Sequence, residues 1–156
     1  MKVLITGGAG FIGRWMVRKF INMGHEVVVL DNLSNGSQDN IKEFLANPRF
    51  KLVKGDIIDS SIVKECFNNI SLCLHLAAQI NVQESLDYPE RAYKNNVLGT
   101  YNVLEAARKN NTKVVLMGTC MVYDLADSSK EIDENHPVKP KSPYAGSKLA
   151  AEYMAE

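Results

Sequence analysis

Cysteine is scarce in this chain, and the three present, Cys66, Cys73 and Cys120, show no metal-type spacing. An odd, unpatterned set argues against a disulfide framework and points to a reducing, cytoplasmic setting. Net charge is missing as well. The 18 Lys and Arg balance 18 Asp and Glu, which gives no ground for nucleic acid or an anionic membrane as partner. No apolar run approaches the roughly 18 residues of a membrane-spanning helix, and there are no repeats or low-complexity tracts. The first residues enter a strand at once, so no signal peptide is expected. At 156 residues, 46% apolar and 23% charged, the composition is that of one globular domain. Such a chain can bury roughly 70% of its unfolded surface.

What is present gathers at the start. Val3, Leu4 and Ile5 form an unbroken apolar run, as a strand buried on both faces requires. Glycines follow at 7, 8, 10 and 13, and then a helical pattern carries Phe11, Ile12, Trp15, Met16, Phe20 and Ile21. A strand, a glycine turn and a helix in that order make an anion site, because the helix presents free N–H groups and partial positive charge to the turn. Gly7 permits the turn, Gly10 lets a pyrophosphate approach the backbone, and Gly13 lets the helix pack close on the strand. A second apolar run, Val27 to Leu30, ends in Asp31, 18 residues past Gly13. A carboxylate there accepts both hydroxyls of an adenosine ribose and repels a 2′-phosphate. Arg14-Trp15 follows Gly13 where a P-loop needs Lys-Ser/Thr. NAD is the cofactor these residues indicate.

Further along, Gly24 suits a helix C-terminus, and a short helix is expected at about 39–46, stopped by Asn47-Pro48. Phe50 to Val53 reads as a third strand, and Asp59 or Ser60 as the cap of a helix carrying Ile62, Val63, Cys66 and Phe67. Leu72 to Leu76 reads as a fourth strand, with His75 buried and hydrogen-bonded among apolar neighbours. A long helix is expected over about 88–109 with Pro89 in its first turn, then a fifth strand at Val114 to Met117. The loop 118–142 is long enough to be functional or disordered. Ser142 and Pro143 open a last helix. Alternating strands and helices predict a doubly wound parallel α/β sheet in the order 3-2-1-4-5, helices on both faces. Ligands then belong at the carboxyl ends of the strands, where Gly7, Asp31, Asp56, Ala77 and Thr119 fall.

On the last helix Tyr144 and Lys148 stand four residues apart and share a face. An ammonium beside a phenol stabilises the phenolate, and the positive ring of a bound nicotinamide adds to this. A tyrosine so placed can act as a base.

With these residues together, the chain resembles the extended short-chain dehydrogenases, the NAD-dependent sugar-nucleotide epimerases and dehydratases. Six stretches along its length carry the resemblance: Thr6 to Gly13, Asp31-Asn32-Leu33, Gly55-Asp56-Ile57, His75 to Gln79, Asn95 to Thr100, and Ser142 to Lys148. The resemblance implies a Rossmann-type NAD-binding domain over 1–156. Phe11 and Ile12 would contact the pyrophosphate, Asp31, Asn32, Asn35 and Gly36 would hold the adenosine ribose, and Leu33 and Ser34 would also bind the cofactor. Asp56 and Ile57 would border the adenine, and Leu76, Ala77, Ala78 and Gln79 the nicotinamide half. Asn95 would add a further cofactor contact, Asn96 would brace the loops, and Thr119 would hydrogen-bond the reacting sugar hydroxyl. Tyr144 would take the proton from the sugar 4-hydroxyl, with Lys148 beside it. Helices near 88–109 and 143–156 resemble those through which family members dimerise.

Two departures from the family pattern matter. Family dehydratases carry an Asp-Glu pair after the Thr, where Cys120 and Met121 stand here. Neither serves as acid or base at neutral pH. The Glu common near this point in related decarboxylases is also absent, so an epimerase resembling UDP-glucose 4-epimerase is favoured over a dehydratase or decarboxylase. Asp124 stands where a glycine usually follows the tyrosine. Family members are longer, which implies that a C-terminal substrate-binding portion lies outside this sequence and that the 156 residues alone are inactive. A stand-alone NAD-binding sensor and a purely structural fragment stay open beside the epimerase. The nucleotide sugar, with a UDP-sugar favoured, is not specified by these residues.

Overall fold

Five parallel strands form the sheet of the computed structural model, which describes residues 1–126 and 131–156. They are β1 (Lys2–Thr6), β2 (Glu26–Asp31), β3 (Phe50–Lys54), β4 (Leu72–His75) and β5 (Lys113–Leu116). Their order is β3-β2-β1-β4-β5, as the alternation of elements predicts. The middle place falls to β1 because it is apolar on both faces. Leu4 packs with Val28, Leu30, Val63, Phe67, Cys73 and Val103, whereas Val3 and Ile5 pack with Val17, Ile21, Val27, Val29, Ile41 and Leu74. Successive strand residues point to opposite sides, so such a run needs cover on both. Each of these three buried side chains contributes roughly 1.5–3 kcal/mol. Register follows: Leu4 lies opposite Val28 and Cys73, and Ile5 opposite Val29 and Leu74.

The described residues form six α-helices: α1 (Phe11–Asn22), α2 (Ser60–Cys66), α3 (Val82–Asp87), α4 (Pro89–Tyr93), α5 (Thr100–Lys109) and α6 (Pro143–Ala155). Gly13, Val17 and Ile21, four residues apart, form the buried stripe of α1. Gly24, at φ +82°, ends that helix as expected. Asp59 caps α2 through the Ser61 and Ile62 N–H groups, and Ser142 caps α6 through Ala145.

Three elements differ from the sequence expectations. Residues 39–46 form no α-helix; a 3-10 helix runs Gln38–Phe44, started by Ser37 Oγ accepting the Asp39 N–H. The long helix of 88–109 is interrupted, with Lys94–Gly99 wound as a π-helix between α4 and α5. Gly99 presses on Ile57 there, a Cβ at this position meeting Ile57 Cδ1 at 2.6 Å. The third difference is α3, capped by Asn81 Oδ1 on the Glu84 N–H, in a stretch for which the sequence reading names no element. Within 118–142, Cys120–Val122 is a 3-10 turn and Tyr123 bridges antiparallel to Val138. Asp124 closes that bridge through ion pairs to Lys139 and Lys141; residues 127–130 of the loop lie outside the described residues.

Candidate functional site

A cavity of about 800 Å³ opens at the carboxyl ends of the strands. Its floor is the glycine turn. Gly7 N–H donates to Leu30 O at 2.9 Å, Gly10 N–H to Gly7 O at 3.1 Å, and Ala9 N–H to Asp31 Oδ2 at 2.9 Å. Those groups are occupied within the protein. The N-terminus of α1 is not capped, because Gly10 at its cap position has no side chain to offer. The leading N–H groups of α1 therefore face a cavity that Phe11, Ile12 and Gly13 line, which is the donor set a pyrophosphate takes. Gly13 is what brings the helix so near: a Cβ there would sit 2.2 Å from Gly7 O and 2.6 Å from Gly8 Cα.

At one end, Asp31 is 7% exposed and accepts the Ala9 N–H through Oδ2 and the Leu33 N–H through Oδ1. Each oxygen keeps a further acceptor site for a ligand hydroxyl. The segment after β2 folds back on the turn, where Ala9 O accepts Ser37 N–H at 3.2 Å and Asn40 Nδ2 at 2.7 Å. Gly36 lies against that same Ala9 backbone, a Cβ meeting it at 2.8 Å. Asn32 Nδ2 donates to Asp56 Oδ2 at 2.8 Å, while Asp56 Oδ1 accepts the Ile58 N–H.

The opposite end is built on α6. Lys148 is 4% exposed, and its Nζ donates to Met117 O at 2.6 Å. Burial pushes its ammonium below the usual lysine value, with Glu152 opposing. Tyr144 lies one turn earlier on the same wall. Asn96, buried in the π-helix, accepts the Gln79 N–H at 2.8 Å and donates to Gln79 O and to Ser147 Oγ, both at 3.0 Å. That one amide ties the loop after β4 to α6. Under the floor, His75 bridges Thr6 Oγ1 at 2.6 Å and Thr100 Oγ1 at 3.0 Å. Thr6 Oγ1 also accepts the Ala77 N–H at 3.2 Å, so the histidine is tied to the loop after β4 as well. Burial, with the nearby Lys148 charge, pushes His75 down to about 3, so it is neutral.

The sequence-derived site residues are brought together with two exceptions. Gly7, Gly10, Phe11, Ile12, Gly13, Asp31, Asn32, Ser34, Asn35, Gly36, Asp56, Ile57, Leu76, Ala77, Ala78, Gln79, Asn95, Tyr144 and Lys148 all line the cavity. Leu33 does not: at φ +60° it turns inward and packs on the core around Val3 and Ile5. Thr119 does not either, because its hydroxyl accepts the Met121 N–H and starts the 3-10 turn, leaving Met117 and Gly118 as the wall. Sequence reasoning missed Glu84 and Arg91, which also line the cavity and pair at 3.1 Å. The one available signal is spacing, since Arg91 precedes Asn95 by one helical turn. Among the described residues no three His, Cys, Asp or Glu side chains gather as a metal site, and no helix is long and apolar enough to cross a membrane.

Comparison with known proteins identifies the family and the fold. Residues 4–156 match the family model described as GDP-mannose 4,6 dehydratase. A protein of Methanocaldococcus jannaschii named as a putative UDP-glucose 4-epimerase is 40% identical over 96% of this chain and 48% of its own length. Pal from Bacillus thuringiensis superposes with a TM-score of 0.94 at 49% identity, over 99% of this chain and 50% of that one. The UDP-glucose 4-epimerase of Thermus thermophilus, solved with NAD, gives 0.90 at 36% identity, over 99% of this chain and 49% of that one. The chain thus spans about half the length of the relatives it matches.

Proposed function

The chain belongs to the epimerase/dehydratase family of extended short-chain dehydrogenases, and from that premise we propose that it is the NAD-binding part of a sugar-nucleotide 4-epimerase. One observation carries the proposal: a single cavity joins the uncapped end of α1 and Asp31 to Tyr144 and Lys148. The first pair suits an adenosine diphosphate with a free ribose 2′-hydroxyl, and the second suits proton transfer beside a nicotinamide.

Bound NAD would supply the acceptor and donor of hydride. The chain's own residues supply the rest. Phe11, Ile12 and Gly13 present N–H groups to the pyrophosphate, and Asp31 orients the ribose. Lys148 places positive charge beside the phenol of Tyr144, which takes the proton from the sugar 4-hydroxyl and returns it after the ketone has turned over. Cys120 and Met121 favour epimerisation over dehydration, since loss of water needs an acid and a base that the turn after Thr119 does not carry. The family model's own name favours the dehydratase reading, and the product decides between them. A UDP-sugar is the proposed substrate, gripped by a portion outside residues 1–156. The buried free thiols of Cys66 and Cys73 suit a cytoplasmic place of work.

Titration of the purified chain with NAD and NADP tests the cofactor assignment. NAD should bind at least about tenfold more tightly, and Asp31→Ala should weaken NAD and narrow the gap. Equal affinity for the two would sink the assignment. In a form extended to the relatives' length, a UDP-sugar should be inverted at its 4-position with its oxygen count unchanged. A 4-keto-6-deoxy product would establish the dehydratase instead.

A further inference from the structure

The first N–H groups of a helix have no partner inside it, and in α6 each can be followed. Pro143 has none. Ala145 N–H goes to Ser142 Oγ at 3.2 Å, and Gly146 N–H to Ser142 O at 2.9 Å. The remaining donor, Tyr144 N–H, goes to Ser85 Oγ at 3.1 Å, a residue 59 positions earlier on α3. Ser85 is fully buried, and its proton is committed to Val82 O at 2.7 Å. A hydroxyl with a fixed proton has fixed lone pairs, so Ser85 accepts only along the direction it now holds. On the other side of the same residue, Tyr144 O accepts from Ser147 Oγ at 2.7 Å.

We propose that Ser85 is a positioning residue for Tyr144. By holding the Tyr144 N–H it sets the Cα–Cβ direction of that residue, and so the point at which the phenol enters the cavity. The inference rests on the role given above to Tyr144 and its cofactor. It also accounts for α3. This six-residue helix, capped by Asn81, holds Gln79 through Glu84 Oε2 and then reaches α6 through Ser85. The cavity wall beside Gln79 and the start of α6 are therefore set by one rigid piece. Stability of α6 alone does not call for this arrangement, since Ser142 already closes the first turn.

The test compares Ser85→Ala and the hydroxyl-retaining Ser85→Thr with the parent, each in the full 156-residue chain with 3-fluorotyrosine at position 144. In Ser85→Ala the Tyr144 amide should exchange hydrogen about tenfold faster, the factor that one lost hydrogen bond carries, while Ala145 and Gly146 change less than about twofold. At equal saturation with NAD, the fluorine resonance should shift fully in the parent and in Ser85→Thr, and less in Ser85→Ala. A Tyr144 amide exchanging at the parent rate in Ser85→Ala overturns the assignment, as does an NAD-induced shift equal to the parent's. A parent chain with no NAD affinity instead removes the cofactor reading, and the amide exchange rate then decides the role of Ser85 by itself.

Discussion

His75 shows how much one side chain can fix when both ring nitrogens are used. It joins the end of β1 to α5 through Thr6 and Thr100, and Thr6 in turn holds the Ala77 N–H at the cavity floor. Buried at 2% exposure, it titrates at about 3 when folded, against about 6.5 in an unfolded chain. Between those values the unfolded state binds more protons, so stability rises with pH across the window and falls as pH drops through it. The slope from this group is at most about 1.4 kcal/mol per pH unit, and it vanishes above about pH 6.5. Urea unfolding of His75→Gln should therefore give a lower stability at pH 7 and a shallower fall between pH 6.5 and 4. Parallel curves for variant and parent would show that His75 is charged when folded. Its burial is legible in the sequence, because Leu72, Cys73, Leu74 and Leu76 surround it with apolar residues. Its partners are not, since Thr6 and Thr100 lie 69 and 25 residues away and meet it only once the sheet forms.

Among elements, the turn from β1 into α1 is the most legible and the least tolerant of change. Its glycine spacing announces a close approach, and the structure supplies the distance. A Cβ on Gly13 would lie 2.2 Å from Gly7 O, a backbone atom that cannot swing aside. Gly24, at the far end of the same helix, is held by φ +82° but has only Arg49 Nη1 nearby, at 3.5 Å. Gly13→Ala should then cost about 1–3 kcal/mol and remove NAD affinity, because α1 must lift from the strand. Gly24→Ala should cost about 1 kcal/mol and leave NAD affinity unchanged. Chemical denaturation and calorimetric titration of the two variants check this, and retained affinity in Gly13→Ala would mean that α1 need not sit so close. The π-helix at Lys94–Gly99 and helix α3 were not legible, for different reasons. Tyr93, Val97 and Tyr101 keep four-residue spacing straight through the π-helix, so the sequence pattern shows no break there. Six residues, as in α3, are too few to show a period of 3.6. Asn81 before it and Pro89 after it were the available signs.

At the scale of the molecule, the sheet order follows from the alternation of strand and helix together with right-handed crossovers. The carboxyl-end placement of the cavity follows from the sheet. Assembly is less constrained. Tyr101 on α5, and Tyr153 and Met154 on α6, stay exposed, Tyr153 by 64%. Sedimentation should find a dimer that Tyr101→Glu and Tyr153→Glu together dissociate, whereas a parent that stays monomeric at high concentration would rule out this contact. Lys148 is an ammonium held at 4% exposure with Met117 O as its hydrogen-bond acceptor, and burial pushes its pKa down. The fold therefore disfavours its charge. Methionine nearly matches its length and carries no charge to desolvate, so Lys148→Met should leave the cofactor-free chain at least as stable as the parent, as replacement of a buried charge often does. NAD, however, raises the melting temperature only as far as it binds the folded state. On the proposed roles, loss of the ammonium should shrink that rise, while Tyr144→Phe should keep it, because a phenol proposed for proton transfer adds little to cofactor binding. Thermal melts of the three chains with and without NAD read all of this in one series. A Lys148→Met chain that melts below the parent without NAD and rises as far with it would show that the lysine serves the fold and leaves the ligand to other residues.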